Sequence, residues 1–251
     1  MMKILFIASG SKGNATFIDS GKTLIQIDMG ITKKRLVEGA KELGRTLDDI
    51  EGVLITHEHS DHIKGLNLIA NRVPIYASEG TVDDYVDSLI FPGEEVQIGD
   101  FFITPFKSSH DAINPMNFVI RCGNERLGYI TDTGMILDEG LKLLKDCDYY
   151  LIESNHDVEM EQKSRRPRML IKRVLGDFGH LSNVDSANYA CELLGPHTKA
   201  FYLGHLSDDC NTPQKALETY TRVFEVNRVD PSRLEIRCTS QLKFVKGGSW
   251  E

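Results

Sequence analysis

His57-Glu58-His59-Ser60-Asp61-His62 places four side chains able to bind a metal ion within six residues. The apolar run Val53-Leu54-Ile55 stands before it, and Asp61 to Asn71 carries Ile63, Leu66 and Ile69 at helical spacing after it. The hexad therefore falls where a strand gives way to a helix. In an extended segment residues i and i+2 point the same way, so His57 and His59 leave the strand as paired imidazoles fit for one cation. As the chain turns into the helix, Asp61 and His62 are directed at a second cation. A chance sequence rarely gathers four such groups at one junction, whereas an isolated histidine such as His197 is read as structural.

Working outward, further candidate ligands follow β-type runs at three places. His110 comes after Phe106-Lys107-Ser108-Ser109, Asp132 after Gly128-Tyr129-Ile130-Thr131, and His205 after Phe201-Tyr202-Leu203-Gly204. Ligands just past strand ends let a sheet fix geometry while loops leave a coordination position open for water or substrate. Asp132, with two carboxylate oxygens, is suited to bridge two ions. Asp28, at the end of Thr23 to Asp28, and Asp111, next to His110, are candidates to orient the metal-binding imidazoles.

The rest of the chain sets the frame. Its 251 residues, 41% hydrophobic and 26% charged, carry no Pro/Gly/Ser-rich linker or low-complexity run, so one domain over residues 1–251 is expected. Strand patterns at Ile4 to Ala8, Ala15 to Asp19 and Thr23 to Asp28 precede a helix over Ile31 to Leu43. Strands at Phe101 to Phe106, Asn117 to Cys122 and Leu127 to Thr131 precede a helix at Ile136 to Lys145 and a strand at Tyr149 to Ile152. Helices at Val184 to Leu194 and Pro213 to Val226 bracket a strand at Ala200 to Leu203. Both halves run from strands to helices, which predicts an α/β fold of two sheets packed face to face with helices outside.

Composition narrows the setting. The run Lys3 to Ala8 is too short to span a membrane and is read as a first strand rather than a signal peptide. Five scattered cysteines form no close pair, which argues against a thiolate metal site or a disulfide scaffold and for a reducing cytoplasm. A formal charge of -8 excludes a protein coated with basic residues, although a local basic patch can oppose the global sign.

The hexad resembles the His-x-His-x-Asp-His signature of the metallo-β-lactamase superfamily, and the resemblance extends to Ile27-Asp28-Met29-Gly30, His110, Asp132 and His205 in order. It implies a four-layer αβ/βα sandwich of two mixed β-sheets with helices on the outer faces, holding two divalent cations per chain. By that resemblance His57, His59 and His110 take the first ion, Asp61, His62 and His205 the second, and Asp132 bridges. Zinc is the first choice for so many histidines, with manganese or iron as alternatives.

Five shorter motifs resemble the YycJ/WalJ-type branch, regarded as exonucleases on double-stranded DNA. They are Ser9-Gly10-Ser11-Lys12-Gly13-Asn14, Ser109-His110-Asp111-Ala112, Thr131-Asp132-Thr133-Gly134, Glu153-Ser154-Asn155-His156-Asp157 and Gly179-His180-Leu181-Ser182-Asn183. Gly179-His180-Leu181-Ser182 also resembles the Gly-His-Ser motif of ribonuclease Z relatives, in which the histidine serves the phosphate. The implied reaction is attack of a metal-bridging hydroxide on phosphorus, with Asp61 and His180 as the catalytic residues and Ser182 and Asn183 beside the substrate.

Basic residues gather from Lys163 to Arg173. Arg165, Arg166 and Arg168 are candidates for DNA phosphates, the alternative being a solvated helix start balanced by Glu159 and Glu161. The loop Ser9 to Asn14 is either a tight turn or a cradle in which Ser11 or Asn14 meets a terminal phosphate. Duplex DNA with a 5′ end is the expected partner, no membrane is, and oligomeric state stays open. A thioesterase, a lactonase or a ribonuclease is the rival reading.

Overall fold

Strand and helix alternate along the chain as the apolar patterns predict, and the computed structural model describes residues 1–250. The chain opens with β1 (Lys3–Ala8), β2 (Ala15–Asp19), β3 (Leu24–Ile27), α1 (Lys33–Glu42), β4 (Ile50–Leu54) and α2 (Ser60–Ile63). There follow β5 (Ile75–Ala77), β6 (Ser88–Leu89), β7 (Val96–Ile98), β8 (Phe101–Lys107), β9 (Met116–Cys122), β10 (Glu125–Ile130) and α3 (Asp138–Leu144). The remainder comprises β11 (Tyr149–Glu153), α4 (Val158–Lys163), α5 (Arg168–Val174), α6 (Asn183–Leu193), β12 (Ala200–Gly204), α7 (Pro213–Val226), β13 (Glu235–Cys238) and β14 (Val245–Gly248). The strands form two mixed sheets of seven strands each.

Two compact units divide the chain. The first takes residues 1–107, 112–125 and those from Thr239 onward; the second takes 108–111 and 126–238. In the first unit one sheet runs β14-β1-β2-β3-β4-β5-β6, antiparallel from β14 to β3 and parallel from β3 to β6. Leu5, Ile7, Phe17, Leu36, Val53 and Ile75 form its core, each buried large side chain contributing about 2 kcal/mol. Helix α1 joins that core through Leu36 and Ala40, with Thr32 accepting from the Arg35 N–H at its start.

The helix expected from Asp61 to Asn71 is cut short. Only Ser60–Ile63 is α-helical, and a 3-10 turn at Leu66–Leu68 follows. The His62 carbonyl accepts from the Met29 N–H and the Gly65 N–H donates to the Met29 carbonyl, so the neighbouring loop takes the groups a longer helix would use. Glycine is required at 65, because a Cβ there would lie 2.5 Å from the Ile31 carbonyl oxygen.

In the second unit β10, β11, β12 and β13 are all parallel. Buried runs such as Tyr149–Glu153 and Ala200–Gly204 are apolar at nearly every position, as strands covered on both faces must be. Tyr150 stacks on Phe201 at 4.8 Å, and Phe224 of α7 meets Phe201 edge-on. Register matters most here. Ile130, Ile152 and Leu203 are paired across three strands, and Glu153 pairs with Gly204, so the chain leaves β10, β11 and β12 at one level on one sheet edge. The helices α4 and α5 were not anticipated from the sequence; Pro167 lies between them, at the start of α5.

Candidate metal centre

Three parallel strands ending together decide the cluster of candidate ligands in the second unit. Asp132 lies two residues past β10, Glu153 ends β11 and His205 directly follows β12, the usual place for a ligand in a parallel sheet. Asp132 and His205 both have left-handed backbones, with φ of 48° and 53°. Such conformations are uncommon outside glycine and cluster where a side chain must be aimed. One ligand atom from each of Asp132, Glu153, His180 and His205 lies within 4.8 Å of the others.

Glu153 organises this group. Fully buried, its Oε1 accepts from His180 Nδ1 at 2.8 Å and His205 Nδ1 at 2.9 Å, while Oε2 accepts from the Thr133 and Leu181 N–H groups. Burial pushes its pKa up, but the two histidines outweigh burial and hold the carboxyl well below the usual range. Glu153 was not singled out as a site residue in the sequence, where it appeared only inside a motif. The readable signal was a carboxylate ending the apolar run Tyr149 to Ile152. Asn155 adds support by donating its amide to the His205 carbonyl at 2.8 Å.

His110 is set by a different acceptor. Its Nδ1 lies 3.0 Å from the Gly179 carbonyl oxygen, which can only accept, so the proton sits on Nδ1 and Nε2 keeps the lone pair a cation requires. Burial lowers the pKa of this ring against the opposing pull of Asp132, which favours the neutral form. Gly179 cannot be replaced without movement, since a Cβ there would lie 2.2 Å from the Arg173 carbonyl oxygen. Asp111 Oδ1 stands 3.5 Å from His110 Nε2, and Arg173 grips the same carboxylate.

The hexad lies in the first unit. His57 is buried, its ring 4.6 Å from His59 and 4.1 Å from His62. Asp28, at a left-handed φ of 57°, accepts from His62 Nδ1 at 2.7 Å and from the Thr56 N–H and hydroxyl. With its proton given to Asp28, the Thr56 hydroxyl can accept from His57 Nδ1 at 3.0 Å. Both rings thus present Nε2 as the donor atom. Asp61 is partly exposed, its Oδ2 3.5 Å from His62 Nε2.

The loop Ser9 to Asn14 packs against the hexad. Asn14 is buried; its amide nitrogen lies 3.2 Å from Asp61 Oδ2 and 2.9 Å from His62 Nε2, and its Oδ1 accepts from the Gly10 N–H. Ser11 is exposed. Ser182 and Asn183, expected beside the substrate, have their side chains engaged in the fold. Ser182 caps α6 by accepting from the Asp185 N–H, and Asn183 exchanges bonds with Ser154 and Asn211.

The basic run divides in two. Arg166 is occupied by buried Glu161, Ser207 and Asp209. Lys163 pairs with Glu159, and Arg173 with Asp111. Arg165, Arg168 and Lys172 are exposed and have no acidic partner among the described residues.

The sequence model of the family described as Beta-lactamase superfamily domain matches residues 18–205, three quarters of the chain. The chain belongs to the metallo-β-lactamase superfamily. Its likeness to the metallo-β-lactamase fold protein YhfI from Bacillus subtilis, with a TM-score of 0.73 over 98% of this chain and 99% of that one at 17% identity, shows the same fold. Exodeoxyribonuclease YycJ of Bacillus anthracis is 34% identical over 231 residues, 87% of this chain and 88% of that one. Exodeoxyribonuclease WalJ of Streptococcus pneumoniae is 35% identical over 242 residues, 91% and 89% of the two. As a superfamily member with these histidine and aspartate clusters, the protein is a metal-dependent hydrolase.

The donor set fits a divalent cation. Three imidazoles have Nδ1 committed to an acceptor that fixes the tautomer, and Asp61 and Asp132 supply carboxylates of the hard type such ions accept. The five cysteines are free thiols, with burial pushing Cys147 up to about 12 and Cys238 up to about 11, so thiolate ligation is disfavoured. No helix among the described residues is long and apolar enough to cross a membrane.

Proposed function

We propose that this chain is a phosphodiesterase that shortens DNA from an end, a 5′-to-3′ exodeoxyribonuclease on duplex DNA working in the cytoplasm. Identity of 34–35% to two exodeoxyribonucleases over about nine tenths of the chain carries the reading. In this reading His57, His59 and His110 hold one divalent cation, Asp61, His62 and His205 a second, and Asp132 serves both; zinc is the first choice, manganese or iron the alternatives. Bound there, such ions supply Lewis-acid stabilisation of phosphate charge and acidify water.

The chain's own residues do the rest. Glu153 holds the His180 ring by Nδ1, turning the Nε2 edge away from the carboxylate, and the side chain is 13% exposed. A proton carried at Nε2 can be donated to a phosphate oxygen or to the leaving 3′-oxygen. His205 and His180 share one carboxylate, so a ligand candidate and the proton donor are oriented by the same buried group. Arg165, Arg168 and Lys172 offer exposed cations to backbone phosphates.

The decisive assay offers 5′-labelled duplex DNA, single-stranded DNA, RNA and a thioester to protein supplied with Mn²⁺ or Zn²⁺. Duplex DNA should be shortened from its 5′ end; cleavage of the thioester alone would refute the nuclease reading. His180→Ala should keep its metal content and lose about 100- to 10,000-fold in kcat. Loss of bound metal in that variant would instead make His180 a ligand.

A further inference from the structure

The second unit opens a cavity of about 630 Å³ beside His180, within the roughly 300–1,000 Å³ usual for small-molecule sites. His180 lines it and also belongs to the Asp132, Glu153 and His205 cluster, so whatever occupies the cavity adjoins the candidate metal centre. Its chemistry differs from that of a phosphate site. Asp177, Asp185 and Glu192 line it, and no lysine or arginine does. Like charge repels an anion, so a phosphate would stay out at the His180 end.

What the walls offer instead is neutral recognition. Gln162 and Asn188 line the cavity with exposed amides that make no hydrogen bond among the described residues, each presenting a donor and an acceptor side by side. His156, 1% exposed, adds a ring to the wall, its buried Nδ1 without a hydrogen-bond partner among the described residues. Met135, Leu175 and the ring of Tyr189 supply apolar faces. A flat heterocycle with alternating donors and acceptors meets these walls, and the carboxylates can accept from a sugar hydroxyl or an exocyclic amine.

We infer that this cavity is a nucleoside site: it takes the base and deoxyribose of the nucleotide adjoining the phosphate to be cut, while that phosphate remains at His180. The inference rests on the nuclease reading for its substrate but on the cavity alone for its ligand class.

Two measurements on the metal-loaded protein separate the claims. Thymidine and deoxyadenosine, which carry no phosphate, are titrated by calorimetry into the parent and into Asn188→Trp, which fills the cavity from the exposed face of α6. Binding to the parent that weakens about tenfold or more in the variant is the expected result. In parallel, kcat/KM is compared for thymidine 5′-p-nitrophenyl phosphate and for bis(p-nitrophenyl) phosphate, a diester without a nucleoside. Asn188→Trp and Gln162→Ala should lower the first by about tenfold and leave the second within about twofold. Equal losses on both diesters, no loss on either, or an active enzyme that binds neither nucleoside would overturn the assignment. A protein inactive on both diesters and on duplex DNA that still binds thymidine would support the cavity and defeat the nuclease reading.

Discussion

Asp28 shows how much a single carboxylate can decide. It holds His62 by Nδ1 at 2.7 Å and ties down Thr56, which in turn faces His57. An aspartate can only accept, so it fixes both the ring orientation and the tautomer. Asp28→Asn preserves the size of the side chain and tolerates its left-handed backbone. Its amide can donate to Nδ1, however, and so move the ring proton to Nε2. Metal affinity should fall about 10- to 100-fold, read by competition with a chromophoric chelator. Unchanged affinity would remove Asp28 from the metal centre.

At the scale of elements, the segment joining α4 to α5 holds arginines with opposite duties. Arg166 neutralises Glu161, whose side chain is 0% exposed, whereas Arg165 and Arg168 face solvent. Removing Arg166 leaves a buried carboxylate without its cation, so Arg166→Ala should lower unfolding stability by about 3 kcal/mol in urea denaturation. Arg165→Ala and Arg168→Ala should leave stability unchanged. Each should instead reduce by about 1 the slope of log affinity for duplex DNA against log salt; an unchanged slope in both would take this segment out of the DNA interface. The same contrast shows what was hard to read: six basic residues between positions 163 and 173 look alike in sequence, and only packing separates a charge spent on Glu161 from one left in water.

For the molecule as a whole, cations that bind the folded chain and not the unfolded one must stabilise it. At a thousandfold excess over its Kd, each cation adds about 4 kcal/mol. Stripping the protein with a chelator should therefore lower Tm, and resupply of Zn²⁺ or Mn²⁺ should restore it. A Tm indifferent to both treatments, together with no metal by elemental analysis, would refute the metal assignment. The formal charge of -8 adds a second consequence for the proposed substrate: long-range repulsion works against a polyanion, so DNA binding would have to depend on local cations and should weaken with salt.

Much of this was legible along the chain. The hexad is local, its ligands within six residues, so spacing alone announced a metal site, and strand patterns located His110, Asp132 and His205 at strand ends. Sequence also pointed to the α/β class, because both halves run from strand patterns to helix patterns. Tertiary structure decided the rest. That Glu153 serves two histidines follows from the register of β11 against β12, and register is a property of paired strands. That the second helix stops at Ile63 follows from Met29 taking its backbone bonds. Which arginine is spent, which serine is a cap and where a cavity opens beside His180 depend on groups far apart in the chain, whose meeting no local pattern encodes.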